Sequence, residues 1–214
     1  MMNKFSKVTM ILRGYTLNQV DTVIQVLKES KHIRNVEVAL NTENAIHIIT
    51  EMVKKYGLEM NIGAGTVTTF DKLKAVHEAG ATFVLSPVKM TEEMLDFCKE
   101  KNILSIPGSY SPTEIFDSYT SGGQIIKVFP ANELGLSYAK KVKEPLGDIP
   151  LMAVGGINKE NVIKAFEQGF DYVGSAGGII PKSAILNEDK DQIRVSVETF
   201  DAIVHEYMKK INLN

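Results

Sequence analysis

Cysteine is nearly missing from this sequence: of 214 residues only Cys98 is one, so no intrachain disulfide can form. Cys98 falls in the apolar pattern Met94, Leu95, Phe97, Cys98, which reads as a buried helix face. A reactive thiol wants a base and an electropositive setting, and the local sequence supplies neither. No stretch reaches the ~18 apolar residues of a membrane-spanning helix. The N-terminus lacks the apolar run of a secretory signal, and the expectation is a cytoplasmic chain. Charge of one sign is also lacking: 24 Lys and Arg stand against 26 Asp and Glu, with formal net charge −2 and no like-charged block. The basic patch of a nucleic-acid binder and the basic amphipathic helix of a membrane-surface protein are therefore not expected. Histidine is scarce. His32 follows the first helical segment, and His47, His77 and His205 sit inside helical patterns. None is at a strand end and no pair has ligand spacing, so no histidine-built metal site is expected.

What is present is a rhythm. With 44% hydrophobic and 23% charged residues the chain can build a sizeable core. Short β-branched runs recur at Val8–Leu12, Asn35–Leu40, Asn61–Ala64, Phe83–Ser86, Ile103–Ile106, Gln124–Phe129, Leu151–Val154 and Asp171–Val173. A helical pattern follows each, starting near Asn18, Glu43, Thr69, Thr91, Ser111, Leu134, Asn158 and Asp189. Thr69, Thr91 and Asn158 are good N-caps. In the last segment Ile193, Val197, Phe200, Val204 and Tyr207 recur at helical spacing. Strict β-then-α order forces crossovers and a parallel sheet, and the nearly all-apolar strands suit one covered by helices. Eight units with no linker predict a single (β/α)₈ barrel over residues 1–214; an open doubly wound sheet is the alternative.

Chemistry in such a barrel sits at the C-terminal ends of the strands. Lys127 interrupts Ile125–Phe129 and Glu37 interrupts Val36–Leu40. Burial pushes a lysine towards the neutral amine that attacks carbonyls, and raises a carboxyl towards the range of a general acid–base. A lysine reaching solvent and a structurally paired glutamate are the blander readings; together the two residues are what a Schiff-base lyase needs. Gly155 and Gly156, followed by Asn158, aim backbone N–H groups at one point. So does Gly174–Gly178, which holds Ser175 and Gly177. The loops after strands seven and eight are the usual phosphate site of a barrel.

These motifs, in order, resemble the 2-keto-3-deoxy-6-phosphogluconate (KDPG) / 4-hydroxy-2-oxoglutarate (KHG) aldolases over essentially the whole chain. The segments are Val36-Glu37-Val38, Gly63-Ala64-Gly65-Thr66-Val67, Ser86-Pro87, Pro107-Gly108 with Ser111-Pro112-Thr113-Glu114, Ile126-Lys127-Val128-Phe129-Pro130-Ala131 and Val154-Gly155-Gly156-Ile157. The resemblance implies a Schiff base on Lys127, proton transfer by Glu37, and a pyruvate carboxylate held by Thr66. It further implies a pocket lined by Pro87 and Phe129, phosphate on Gly155 and Gly156, no cofactor, and a homotrimer. The implied partners are a small 2-keto acid and a phosphorylated aldehyde. The sequence departs from the family at Asn41, where many members have arginine; Arg13, at the end of strand one, is expected to supply that charge. Asn132 stands where an acidic residue is common, and Ser175 is displaced from the usual serine position. Gluconate, galactonate and hydroxyoxoglutarate substrates all stay open. A metal-dependent sugar-phosphate epimerase and a non-catalytic barrel binding a phosphorylated acid are the rival readings.

Overall fold

The computed structural model describes residues 4–211. The strands are β1 Val8–Leu12, β2 Ile33–Ala39, β3 Asn61–Gly65, β4 Phe83–Leu85, β5 Leu104–Ile106, β6 Gly108–Ser109, β7 Ile126–Val128, β8 Leu151–Val154 and β9 Tyr172–Ser175. Every pairing is parallel. The sheet runs β5-β4-β3-β2-β1-β9-β8-β7-β6. Its two ends, β5 and β6, are consecutive in the chain, so the sheet comes round on itself as a nearly closed barrel rather than an open sheet.

Nine strands appear where eight were expected because Pro107 splits the fifth. Proline has no N–H to continue a ladder. β5 pairs with β4. Beyond the proline, Gly108 N–H donates to the Val88 carbonyl at 3.0 Å, and Lys127 N–H donates to the Pro107 carbonyl at 2.9 Å.

The helices are α1 Leu17–Leu27, α2 Ala45–Tyr56, α3 Phe70–Glu78, α4 Glu92–Glu100, α5 Pro112–Thr120, α6 Ala131–Leu134, α7 Tyr138–Leu146, α8 Val162–Glu167, α9 Lys182–Leu186 and α10 Lys190–Ile211. Thr69 and Thr91 cap α3 and α4 as expected, and Ser111 and Glu114 form a full capping box on α5. Several boundaries differ: β2 starts earlier and β7 is shorter than expected, and a separate short helix, α9, precedes the last one. Asn158 does not open a helix: its Oδ1 accepts from the N–H groups of Glu160 and Asn161, making a turn, and α8 starts at Val162. The sixth helical segment is two pieces, α6 and α7, separated at Gly135, whose φ is +77°.

Side chains alternate between two layers, as strand geometry requires. Val8, Met10, Leu12, Val36, Val38, Ile62, Ala64, Val84, Ile126 and Val128 face the helices. Ile11, Phe83, Leu85, Ile106, Ile125, Met152 and Val154 fill the barrel. Phe5 closes the N-terminal end, its ring edge-on to Phe83 at 5.1 Å. Near that end Thr9, Asn35 and Asn61 are buried; Asn35 Nδ2 donates to Thr9 Oγ1 and Asn61 Nδ2 donates to Asn35 Oδ1. These bonds offset part of the cost of burying the amides, with Asn61 Oδ1 left buried and unpartnered. The apolar filling and the polar tie between the first three strands leave the opposite end for chemistry.

Candidate active site

Lys127 occupies the interior face of β7, between Ile125 and Phe129. It is 5% exposed. Among the described residues no hydrogen bond or ion pair reaches its Nζ, which sits over the Phe129 ring 4.8 Å from the centroid. Burial lowers its pKa; the Glu37 charge opposes that and Arg13 reinforces it. Glu37 occupies the interior face of β2 and is 2% exposed. Its Oε2 is buried without a hydrogen-bond partner. Burial holds its carboxyl above the usual carboxylate range, against the pull of Lys127 and then Arg13. An unpaired carboxyl and an unpaired amine thus share one buried interior, each feeling the other's charge. An unpaired buried polar group is costly, so this pair is not explained by stability.

Glycine makes the room. A Cβ on Gly65 would lie 1.5 Å from Glu37 Oε1, and a Cβ on Gly63 would lie 2.6 Å from carbons of the Phe83 ring. The Gly-Ala-Gly of β3 therefore presents a flat wall, with Phe83 in one hollow and the Glu37 carboxyl in the other. Just past it Thr66 adopts φ +61° and is half-buried. That is an outlying conformation for a β-branched residue. Pro87, half-buried after β4, approaches β6 closely: a Cβ on Gly108 would lie 2.5 Å from its carbonyl carbon. Arg13 is exposed at the end of β1, and the loop that carries it is pinned by Gly14 N–H donating to Thr42 Oγ1 at 2.9 Å. Asn41 is exposed too.

A cleft of about 800 Å³ opens at the C-terminal ends of the strands, and its wall includes Arg13, Phe129, Gly155, Gly156, Ser175 and Gly177. Lys127, Glu37, Thr66 and Pro87 are not part of that wall. The expected residues are thus divided between the cleft and the buried pair, and Arg13, whose charge is felt by both buried groups, joins the two.

Gly155 and Gly156 have φ +110° and +71°, which only glycine adopts readily. Asn161 Nδ2 donates to the Gly156 carbonyl at 2.8 Å and holds that loop. Ser175 is buried, and its hydroxyl donates to the Ile157 carbonyl. Gly178 lies against the same carbonyl, 2.0 Å from where its Cβ would be. The two glycine loops are therefore strapped together. Gly177 has open space around it. Lys159 adds a second cation to the wall.

Sequence reasoning missed several members. Thr42 gave no signal, since its partner lies 28 residues away. Ser196 and Thr199 of α10 and Pro181 before α9 reach the cleft from elements far down the chain. Elsewhere His32 and His205, read separately in the sequence, meet with Nε2 and Nδ1 3.1 Å apart. Among the described residues no group of three or more His, Cys, Asp or Glu is placed to hold a metal, and no helix is long and apolar enough to cross a membrane.

The family described as "Aldolase: KDPG and KHG aldolase" matches residues 2–196. A 2-dehydro-3-deoxy-phosphogluconate aldolase of Pseudoalteromonas atlantica is 33% identical over 185 residues, covering 79% of this chain and 84% of its own. A probable 2-dehydro-3-deoxy-6-phosphogalactonate aldolase of Rhizobium meliloti is 25% identical over 194 residues, 90% of this chain and 91% of its own. The solved KDPG aldolase of Legionella pneumophila, with pyruvate captured as a covalent carbinolamine, is 28% identical; it superposes with TM-score 0.81 over 92% of this chain and 94% of its own. With the family matched over nearly the whole chain and the barrel shared, the protein belongs to the KDPG and KHG aldolase family of carbon–carbon lyases.

Proposed function

We propose that this chain is a class I aldolase that cleaves 2-keto-3-deoxy-6-phosphogluconate to pyruvate and glyceraldehyde 3-phosphate through a Schiff base on Lys127. A second activity, cleavage of 4-hydroxy-2-oxoglutarate to pyruvate and glyoxylate, fits the same pair. The observation that carries the reading is the unpaired amine of Lys127 sharing the buried barrel interior with the unpaired carboxyl of Glu37. The carbinolamine of the Legionella relative supports it.

The neutral amine adds to the C2 carbonyl of the substrate. Glu37 gives a proton to the departing hydroxyl, water leaves, and the nitrogen becomes a protonated imine. Glu37, now a carboxylate, takes the C4 hydroxyl proton, and the aldehyde is released. The electrons of the C3–C4 bond form the C2–C3 double bond, and the imine pair returns to nitrogen as a neutral enamine. Glu37 then protonates C3, and water hydrolyses the resulting pyruvyl imine. The electron sink is the imine itself, and the reading calls for no cofactor. Thr66 and Arg13 hold the carboxylate, with Pro87 and Phe129 as pocket walls. The phosphate lies on the N–H groups of the Gly155–Gly156 and Ser175–Gly177 loops, beside Lys159.

The galactonate epimer is the second reading, favoured by the Rhizobium relative. The assembly we propose is a homotrimer in the cytoplasm. Exposed Val88, Tyr110, Phe116 and Tyr119 supply apolar surface for contacts between copies.

Borohydride trapping with pyruvate, followed by peptide mass mapping, tests the mechanism. A pyruvyl adduct on Lys127, absent from Lys127→Ala, is the expected result; no adduct on the folded protein refutes it. Coupled assays with the two epimeric substrates then decide specificity.

A further inference from the structure

The contact between Lys127 and Phe129 has no role in the scheme so far. It is built by the strand: residues two apart point the same way, and the ladder continues past β7 through Phe129 N–H donating to the Ser109 carbonyl at 3.1 Å. Nζ is consequently set over the ring face, 4.8 Å from the centroid. This is within the range in which an aromatic quadrupole attracts a cation, and the attraction is strongest where water is excluded. Lys127 is buried as a residue, and among the described residues its nitrogen has neither a hydrogen bond nor an ion pair.

Resting on the Schiff-base reading above, we propose that the Phe129 ring face is the standing partner of the cationic nitrogen at Lys127, first as ammonium and then as protonated imine. The reason is what Glu37 leaves uncovered. In the scheme above Glu37 is a carboxylate while the imine is charged and a neutral acid while the nitrogen is an amine or enamine, so it balances the nitrogen only in step with its own proton transfers. It balances nothing of an ammonium that stands beside the protonated carboxyl, and there the ring face is the partner left. A ring quadrupole does not titrate. It attracts the nitrogen whenever the nitrogen is charged and is indifferent once the enamine has formed. The ring thus opposes the burial that otherwise drives Lys127 to the neutral form, and it adds to the Glu37 carboxylate in holding the imine protonated.

The test is the pH dependence of pyruvate trapping by borohydride in the wild-type protein, Phe129→Leu and Phe129→Tyr, from about pH 5 to about pH 11. The rising limb follows the free amine. In Phe129→Leu, which keeps the pocket apolar but removes the quadrupole, that limb is expected to move towards acid by about one pH unit; in Phe129→Tyr it is expected to stay in place. A loss of packing alone relieves the burial that lowers the Lys127 pKa and moves the limb towards alkali, if at all, so a coincident or alkaline-shifted limb in folded Phe129→Leu overturns the proposal. If circular dichroism shows Phe129→Leu unfolded, trifluorophenylalanine at position 129 gives the same two outcomes with the ring's shape retained. No adduct in the wild-type protein at any pH overturns the aldolase reading itself, and this inference with it; an adduct with unmoved limbs overturns this inference alone.

Discussion

Gly65 and Glu37 share the volume of one side chain: a Cβ on the glycine would lie 1.5 Å from Glu37 Oε1. The bare Cα of β3 is the floor against which the carboxyl rests, and the smallest possible addition evicts it. Gly65→Ala is expected to lower kcat for substrate cleavage by about 100-fold, the lower range of general acid–base contributions. The overpacking should cost about 1–3 kcal/mol in chemical denaturation. Borohydride adduct on Lys127 should still form, at a reduced rate. Unchanged kcat would show that the carboxyl acts from some other position.

The buried pair predicts an unusual pH dependence of stability. The folded pKa of Glu37 is raised, so its contribution to stability is complete below the unfolded value, 4.5, and is lost as pH rises through the folded value. The folded pKa of Lys127 is lowered, so its contribution is complete above the unfolded value, 10.5, and is lost as pH falls through the folded value. Between the two, both groups weaken the fold. Glu37→Gln is therefore expected to raise Tm relative to wild type at pH 8, with the gain fading in acid. Lys127→Met should raise it at neutral pH, with the gain fading towards alkali. Thermal melts of the two variants over the pH range check both signs.

Thr66 holds a left-handed conformation, φ +61°, that a β-branched residue adopts only under constraint. Thr66→Gly is expected to gain about 1 kcal/mol from released backbone strain, less the entropy that glycine adds to the unfolded chain. The same substitution should raise KM through loss of the hydroxyl proposed to hold the pyruvate carboxylate. A more stable but weaker enzyme, seen by denaturation and steady-state kinetics, is the expected outcome; a less stable one with unchanged KM is the opposite.

Ser175 donates to the Ile157 carbonyl and so ties the β9 loop to the β8 loop. Ser175→Ala leaves that carbonyl without its partner, a loss of about 1–3 kcal/mol. The KM for a phosphorylated substrate is expected to rise about tenfold, while trapping of unphosphorylated pyruvate on Lys127 stays at the wild-type rate. Equal damage to both would place the effect at Lys127 instead of at the phosphate loops.

Much of this was legible because charge in an apolar run is conspicuous. Lys127 and Glu37 stand out of their strands, and period-two alternation turns both into the barrel. The helix caps at Thr69 and Thr91 were readable from a hydroxyl standing just ahead of a helical pattern. What was hidden depends on partners far along the chain. The split of the fifth strand follows from a missing N–H at Pro107, but whether the ladder jumps across it depends on Val88. Ser175 looks like a phosphate ligand in sequence and is bound to a carbonyl 18 residues away. Asn158 has the chemistry of a cap but spends it on a turn. The approach of His32 to His205, 173 residues apart, leaves no local trace.

The interruption at Pro107 also bears on how a barrel of this kind can change size. Along β2 and β3 the ladder runs in continuous register from Asn35 opposite Asn61 to Ala39 opposite Gly65, and altering the girth there means re-registering a whole strand. At Pro107 the circle is joined through a short piece, Gly108 and Ser109, that lies in register with Lys127 and Val128. One flank of the join carries Pro87 and the other carries Lys127. An insertion or a bend at this seam changes the breadth of the chamber beside the amine without disturbing the strands that carry Glu37 and Arg13, so reach and reactivity are adjustable separately.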